Sequence, residues 1–307
     1  MRPLAMMQRA LDSPEHAARY LNRLYHTLVH GDEHYRNGVA VLGEDWDNLI
    51  LLDGCRYDTF ARHVDWDGAL DSRYSRGSST VEFLRANVAN ETLNDTVYVT
   101  ANPQFHRHRD ELEAEFHARI DVWKDDGWDE EYKTVLPETV AEYALSAAEE
   151  YPQKRLLVHF IQPHYPFIGS KTSFDKRQLH SDDERPAFWN EVFTGQLDLT
   201  AEDIRPLYDE NLRLTLPSVE ELLAELRGKT VVTADHGNAI GERSFPIPIR
   251  EWGHPQGVYM EETVKVPWFV WENGDRKEYC ADSTPDSRDR GDSAVVEERL
   301  QELGYRT

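Results

Sequence analysis

The feature that most constrains the fold is a series of short, continuous apolar runs, several of which stop at a polar residue. WDNLILLDG ends in Asp53 and Gly54, KRLLVHFIQPH reaches His164, and the apolar part of TVVTADHGNAIGE ends at Asp235 and His236. DTVYVTAN and VKVPWFVW are further runs of the same kind. Because they do not alternate apolar with polar residues, they read as strands buried on both faces. Helical patterns lie between them: STVEFLRANV, PETVAEYALSAAEE and AEDIRPLYDENLRLTLPSVEELLAELRG, the last divided into two helices at Pro217. Strands that alternate with helices predict an α/β fold, with a mostly parallel central sheet and helices on both faces. Ahead of this, SPEHAARYLNRLYHTLVH spaces Ala18, Leu21, Leu24, Tyr25 and Leu28 as one helical face behind a Ser-Pro start. The chain therefore divides into an N-terminal helical appendage, residues 1–40, and one α/β domain over 41–307. The polar stretch 170–200 reads as an insertion or lid, and the charged stretch 272–294 as a solvated excursion.

With 307 residues, 39% of them hydrophobic, the chain can bury a substantial core. Acidic residues number 57 against 34 basic, a formal net charge of -23, and such a surface repels a nucleic-acid backbone. Only eight of the basic residues are lysine, and the acids are dispersed, the pattern of a salt-adapted surface. Cys55 and Cys280 are too few for a disulfide framework and form no C-x-x-C pair, which favours a reducing compartment. No window approaches eighteen uncharged apolar residues, and the N-terminus has no leader-like core, so no membrane span is expected. The expectation is a soluble, cytoplasmic protein. G-x-S-x-G elbows, Walker loops and G-x-G-x-x-G fingerprints are absent.

In a parallel sheet, ligands bind beyond the carboxyl ends of the strands. The polar ends of the apolar runs are thus the first candidates: Asp53, His164, Asp235 and His236, with His254 in the loop before the last run. Carboxylate and imidazole together suit zinc, manganese or another first-row divalent ion, whereas calcium takes oxygen alone. Taken singly, an Asp after a strand is most often a helix cap and a His an ordinary hydrogen-bonded residue. Recurrence at successive strand ends favours the metal. ANPQFHRHRDELEAEFH carries His106, His108 and His117 without a carboxylate pattern and reads as a solvated loop.

DNLILLDGCRYDTF, HFIQPHYPF, VVTADHGNAIGE and GHPQGVYMEETVKVPWFV resemble, in this order, successive blocks of the alkaline phosphatase and sulfatase superfamily, with sulfatase-like hydrolases and transferases the nearest likeness. The resemblance runs from about Trp46 to Trp271 and makes 41–307 a sulfatase-like catalytic domain. It implies that Asp53, Asp235 and His236 hold one divalent ion (Zn, Mn or Mg) together with a hydroxyl nucleophile at a helix start. YSRGSSTVEFL offers Ser78, Ser79 and Thr80 there, and Thr80 immediately precedes the apolar helix pattern. His164 and His254 would contact the transferred group. Arg56, which with Asp58 matches a D-x-x-R-x-D pattern, and Lys171 would bind substrate, unless Arg56 merely pairs with Asp58. Tyr165 and Phe167 could wall a sugar or pack against the sheet, and Asn238 and Glu242 order the turn. Classical sulfatases carry C-x-P-x-R or S-x-P-x-R; here Cys55 is followed by RYDTF, which favours phosphate over sulfate esters. The implied activity is hydrolysis or transfer on a small-molecule or glycan-linked anionic ester. The alternatives are a non-catalytic scaffold of this fold in a glycan-assembly complex and an isomerase of the phosphoglycerate mutase type.

Overall fold

The computed structural model describes residues 14–31, 34–124, 127–169, 188–281 and 293–305. Lys171 and most of the expected lid lie outside them.

Seven strands form the central sheet: β1 (Asn48–Leu52), β2 (Ala69–Tyr74), β3 (Thr92–Thr100), β4 (Glu115–Asp121), β5 (Arg155–Phe160), β6 (Gly228–Thr233) and β9 (Lys265–Asn273), in the order β2-β9-β6-β1-β5-β3-β4. A hairpin of β7 (Ala239–Arg243) and β8 (Arg250–Gly253) stands apart. From β6 to β4 the neighbours are parallel, and β9 alone runs in reverse between β6 and β2. The expected mostly parallel α/β sheet is therefore present. β1 lies at its centre, pairing Asn48 with Leu156 on one side and with Thr230 on the other. All five of its residues are buried, so its two-residue period feeds two cores. Ile50 and Leu52 enter one with Val158, Phe160, Val140, Leu212 and Val219. Leu49 and Leu51 enter the other with Leu157, Val231, Phe83, Leu84 and Phe105. Each such side chain contributes about 1.5–3 kcal/mol on burial, which is why the run cannot shift by one residue.

Nine helices are described: α1 (Pro14–His30), α2 (Tyr57–His63), α3 (Thr80–Asn87), α4 (Gln104–Leu112), α5 (Pro137–Glu150), α6 (Phe188–Phe193), α7 (Ala201–Glu225), α8 (Glu261–Val264) and α9 (Ser293–Glu302). Three expectations are corrected here. Pro217 does not divide α7, which continues through both Pro206 and Pro217. Burial of Ile204, Tyr208, Leu212, Val219, Leu222 and Leu223 along one face offsets the lost backbone bonds. The stretch read as a solvated loop forms α4 and β4, and His106 is buried edge-on against Trp123 with Nδ1 3.6 Å from Asp121. The described end of the expected lid, α6, is packed in an aromatic cluster with Tyr165 and Phe167, whose rings serve the core there.

Candidate metal centre

Beyond the end of β1 the chain turns through Asp53 and Gly54. Gly54 has φ +66°, a conformation that disfavours any side chain, and it aims its N–H at Asp235 Oδ1, 3.0 Å away. Helix α7 fixes this turn from behind. Tyr208 Oη donates to Gly54 O at 2.6 Å and accepts from Arg56 N at 3.0 Å. Three residues on, Asn211 Nδ2 reaches the carbonyls of Pro163, His164 and Pro166, and its Oδ1 accepts from Ile168 N. Residues i and i+3 share a helix face, so one element sets both the Asp53 turn and the His164 loop. His164 N also donates to Asp53 O at 3.1 Å.

Asp53 meets Asp235 and His236, more than 180 positions away in sequence, at the carboxyl end of the sheet, each fully buried. Each carboxylate commits one oxygen to the protein. Asp235 Oδ1 accepts from Gly54 N and from His236 N at 2.8 Å. Asp53 Oδ2 accepts from Asn102 Nδ2 at 2.7 Å and from Tyr305 Oη. The other oxygens, Asp53 Oδ1 and Asp235 Oδ2, are buried without a hydrogen-bond partner. His236 Nε2 lies 3.4 Å from each of them and 3.2 Å from Thr80 Oγ1. A third buried atom without a hydrogen bond, His159 Nε2, stands 3.6 Å from Asp235 Oδ2, and its donor atoms together with those of Asp53 and Asp235 lie within 4.8 Å of one another. Two bare carboxylate oxygens in an enclosed site are costly unless a cation satisfies them. The oxygen and imidazole donors are of the kind a divalent ion takes: Asp53, Asp235 and His159 form a group that could hold one, with His236 Nε2 and Thr80 Oγ1 beside it.

The electrostatics agree with that shortage of positive charge. Burial disfavours a charged His236, but the Asp235 and Asp53 carboxylates outweigh it and hold its pKa up at about 9. Burial likewise opposes the Asp235 charge, while His236, His159 and the Gly54 amide keep its carboxyl well below the usual range. His164 and His254 behave oppositely. Burial, aided by the positive side of His236, pushes both down, His254 strongly. Their Nε2 atoms are 2.8 Å apart, and His164 Nδ1 sits 2.5 Å from Tyr165 O. A donor at that Nδ1 leaves His164 Nε2 as acceptor and His254 Nε2 as donor.

The three hydroxyls of Gly77-Ser78-Ser79-Thr80 face different ways. Ser78 Oγ donates to Glu82 at 2.7 Å and accepts from Gly257 N at 3.0 Å, which ties it into the loop beside Pro255. Ser79 caps α3, its side chain accepting from Glu82 N. Thr80, the first residue of α3, turns its hydroxyl to His236. Arg56 is held by Asp58 at 2.7 Å and Glu242 at 2.6 Å, and Glu242 also accepts from Arg205 at 3.0 Å. The guanidinium is spent on carboxylates of the chain, and Glu242 orders the turn as expected. Asn102, His159 and Tyr305 are site residues that the sequence reading missed. A lone histidine inside the apolar run LLVHF was the available signal for His159, and the polar end of the run DTVYVTAN was the signal for Asn102; Tyr305 carries none.

Neither a family model nor a curated protein sequence matches the chain. Solved structures do. The soluble domain of lipooligosaccharide phosphoethanolamine transferase A from Neisseria meningitidis matches with 11% identity and a TM-score of 0.47, over 73% of this chain and 75% of that one. The C-terminal periplasmic domain of phosphoethanolamine transferase EptC from Campylobacter jejuni matches with 13% identity and a TM-score of 0.45, over 73% and 78%. A protein in the alkaline phosphatase superfamily from Vibrio parahaemolyticus matches with 12% identity and a TM-score of 0.43, over 87% and 68%. The last of these is described as a member of the superfamily that the sequence resembles. The cytoplasmic expectation is corrected by the same matches, since the EptC domain is periplasmic. An acidic surface and two cysteines report on charge and thiol chemistry, and neither fixes a compartment. No helix among the described residues is long and apolar enough to cross a membrane.

Proposed function

We propose that the protein is a divalent-metal-dependent hydrolase or transferase that acts on phosphate esters through Thr80. The observation that carries this reading is the convergence of two buried, bare carboxylate oxygens, Asp53 Oδ1 and Asp235 Oδ2, on His236 Nε2, with Thr80 Oγ1 at 3.2 Å from the same nitrogen. A divalent ion bound there would supply Lewis acidity that lowers the pKa of the Thr80 hydroxyl, whose proton leaves to solvent. Thr80 stands at the first turn of an eight-residue helix, where backbone amides favour an incoming anion. Its oxygen forms a bond to phosphorus as the bond from phosphorus to the departing alcohol oxygen breaks. His254 Nε2, the donor of the His164–His254 pair, hydrogen-bonds that departing oxygen and stabilises its developing charge, and the departing alcohol takes its proton from solvent, where the Thr80 proton went. Water or an acceptor alcohol then attacks phosphorus, breaks the bond to Thr80 and restores the hydroxyl. Phosphate is favoured over sulfate because Cys55, the cysteine nearest the site, is fully buried, with its thiol pushed well up by burial.

The test is a screen of chromogenic phosphate monoesters, phosphate diesters and sulfate esters with Zn, Mn and Mg supplied in turn. Turnover of a phosphate ester that is lost on chelation and in Asp235→Ala is expected. A protein that binds no divalent ion, or an Asp235→Ala variant of full activity, sinks the reading.

A further inference from the structure

Asp53 is held by two residues that belong to no expected motif. Asn102 Nδ2 donates to Asp53 Oδ2 at 2.7 Å and lies 2.9 Å from Tyr305 Oη, which itself donates to the same carboxylate oxygen. Asn102 is fixed in turn: its N–H reaches Thr100 Oγ1 at 3.0 Å, and its Oδ1 accepts from Gln104 N at 2.9 Å as α4 begins. Tyr305 is aimed by the end of α9. Val296, Leu300 and Leu303 anchor that segment in the core, Gly304 turns the chain at φ +78°, and Tyr305 N closes on Leu300 O at 2.9 Å. The Tyr305 ring then stacks on His164, centroids 4.8 Å apart and planes 8° from parallel, with its edge toward His254.

We propose that Tyr305 is a positioning residue of the metal centre: with Asn102 it clamps Asp53 Oδ2, so that Oδ1 is left bare and turned toward Asp235 Oδ2 and His236. This rests on the divalent-ion reading of the site. The phenol acts on the oxygen that does not face the other donors, as an outer partner of a ligating carboxylate does, and it leaves the inner oxygen without a competitor. The same ring stacks on His164, so one residue just beyond α9 touches groups on both sides of the site.

The test compares the full chain with Tyr305→Phe, which keeps the ring over His164 and removes only the hydroxyl. Zn and Mn dissociation constants are measured by competition with a chromogenic chelator, beside thermal melts of the chelated proteins. Binding weaker by about 10- to 100-fold in the variant is expected. Asn102→Ala is expected to weaken the ion as well, and to do so by a smaller factor once the phenol is gone, because both donors act on one oxygen. Asn102→Ala carries the test alone if Tyr305→Phe does not fold. A variant that melts earlier yet binds the ion as tightly as the wild type would have lost only packing, which overturns the clamp. Tighter binding also overturns it, for the phenol would then be standing in the place of the ion. If the wild type itself binds no ion, the divalent-ion reading falls first and the clamp falls with it.

Discussion

At the scale of single residues, neighbouring hydroxyls are separated by what else each one holds. Ser78 is bound to Glu82, Pro255 and Gly257, whereas the Thr80 hydroxyl meets the imidazole of His236 and the phenol of Tyr305, both within the site. Thr80→Ala is therefore expected to lower kcat by about 10^3-fold or more while the protein melts normally. Ser78→Ala leaves a buried Glu82 carboxylate and the Gly257 amide short of a partner, a cost of about 1–3 kcal/mol in stability. Kinetics on a responsive ester together with thermal melts of both variants check the pair, and mass spectrometry of a trapped phosphoryl adduct should find it on Thr80. Loss of turnover in Ser78→Ala at unchanged stability would reverse the assignment. What the sequence made legible here follows from chemistry at strand ends. Asp53, Asp235 and His236 stand where apolar runs stop, so their charge is conspicuous. Asn102 and Tyr305 offer an amide and a phenol, which serve in any core, and Tyr305 reaches Asp53 across 252 positions.

Whole elements were legible in proportion to their burial. β1, β5 and β6 have both faces covered and read as unbroken apolar runs. The edge strand β2, ALDSRY, is partly exposed along its length and has no such signature. Helix α1 was legible by its spacing, but its apolar stripe gave no hint of how it docks. Its Leu21, Leu24 and Leu28 are exposed, and the attachment is polar. Asn22 Nδ2 donates to Ser244 Oγ and Ile247 O, both at 2.8 Å, and its Oδ1 accepts from Ile247 N. Arg19 pairs with the buried Glu251. His26 completes this face beneath Tyr25, His30 and Tyr259. Burial first, and the neighbouring His30 second, lower its pKa to about 4. The folded state thus resists a proton that the unfolded chain accepts near pH 6.5. Stability is full above about 6.5, begins to fall as the pH drops below it, and has lost this contribution by about pH 4. Melting midpoints followed from pH 7 to 4 should decline less steeply in His26→Phe than in the wild type. Parallel curves would remove His26 as the acid-sensitive group of this interface.

Across the whole molecule, charge outweighs any single contact. With 57 acids against 34 bases, negative charges exceed positive ones by 23 (57 − 34), so the surface carries a net repulsion however its pairs are arranged. Salt acts on such a molecule in two opposed ways. It weakens exposed pairs such as Arg85–Glu111 and Lys265–Glu261, each worth about 0–1 kcal/mol, and it relieves repulsion among the excess acids. Repulsion acts over every acid pair within a screening length, which falls from about 10 Å at 0.1 M to about 3 Å at 1 M. The excess of acids makes that relief the larger effect, so the melting temperature should rise with NaCl over this range. The C-terminal end of α5 gives a local version that separates charge from the general strengthening of apolar burial by salt. Glu149 and Glu150 are exposed there, and no basic residue stands in the last turn. Two carboxylates at the negative end of a helix dipole are unfavourable as well as mutually repelling. Glu149→Lys and Glu150→Lys are each expected to stabilise the protein by about 0.3–1 kcal/mol at 0.1 M NaCl. If repulsion is the cause, that gain shrinks toward zero at 1 M, because the charges it corrects are already screened. A gain that survives at 1 M would instead assign the effect to helix propensity or packing, and a wild-type midpoint that falls with salt would give the ion pairs the larger share.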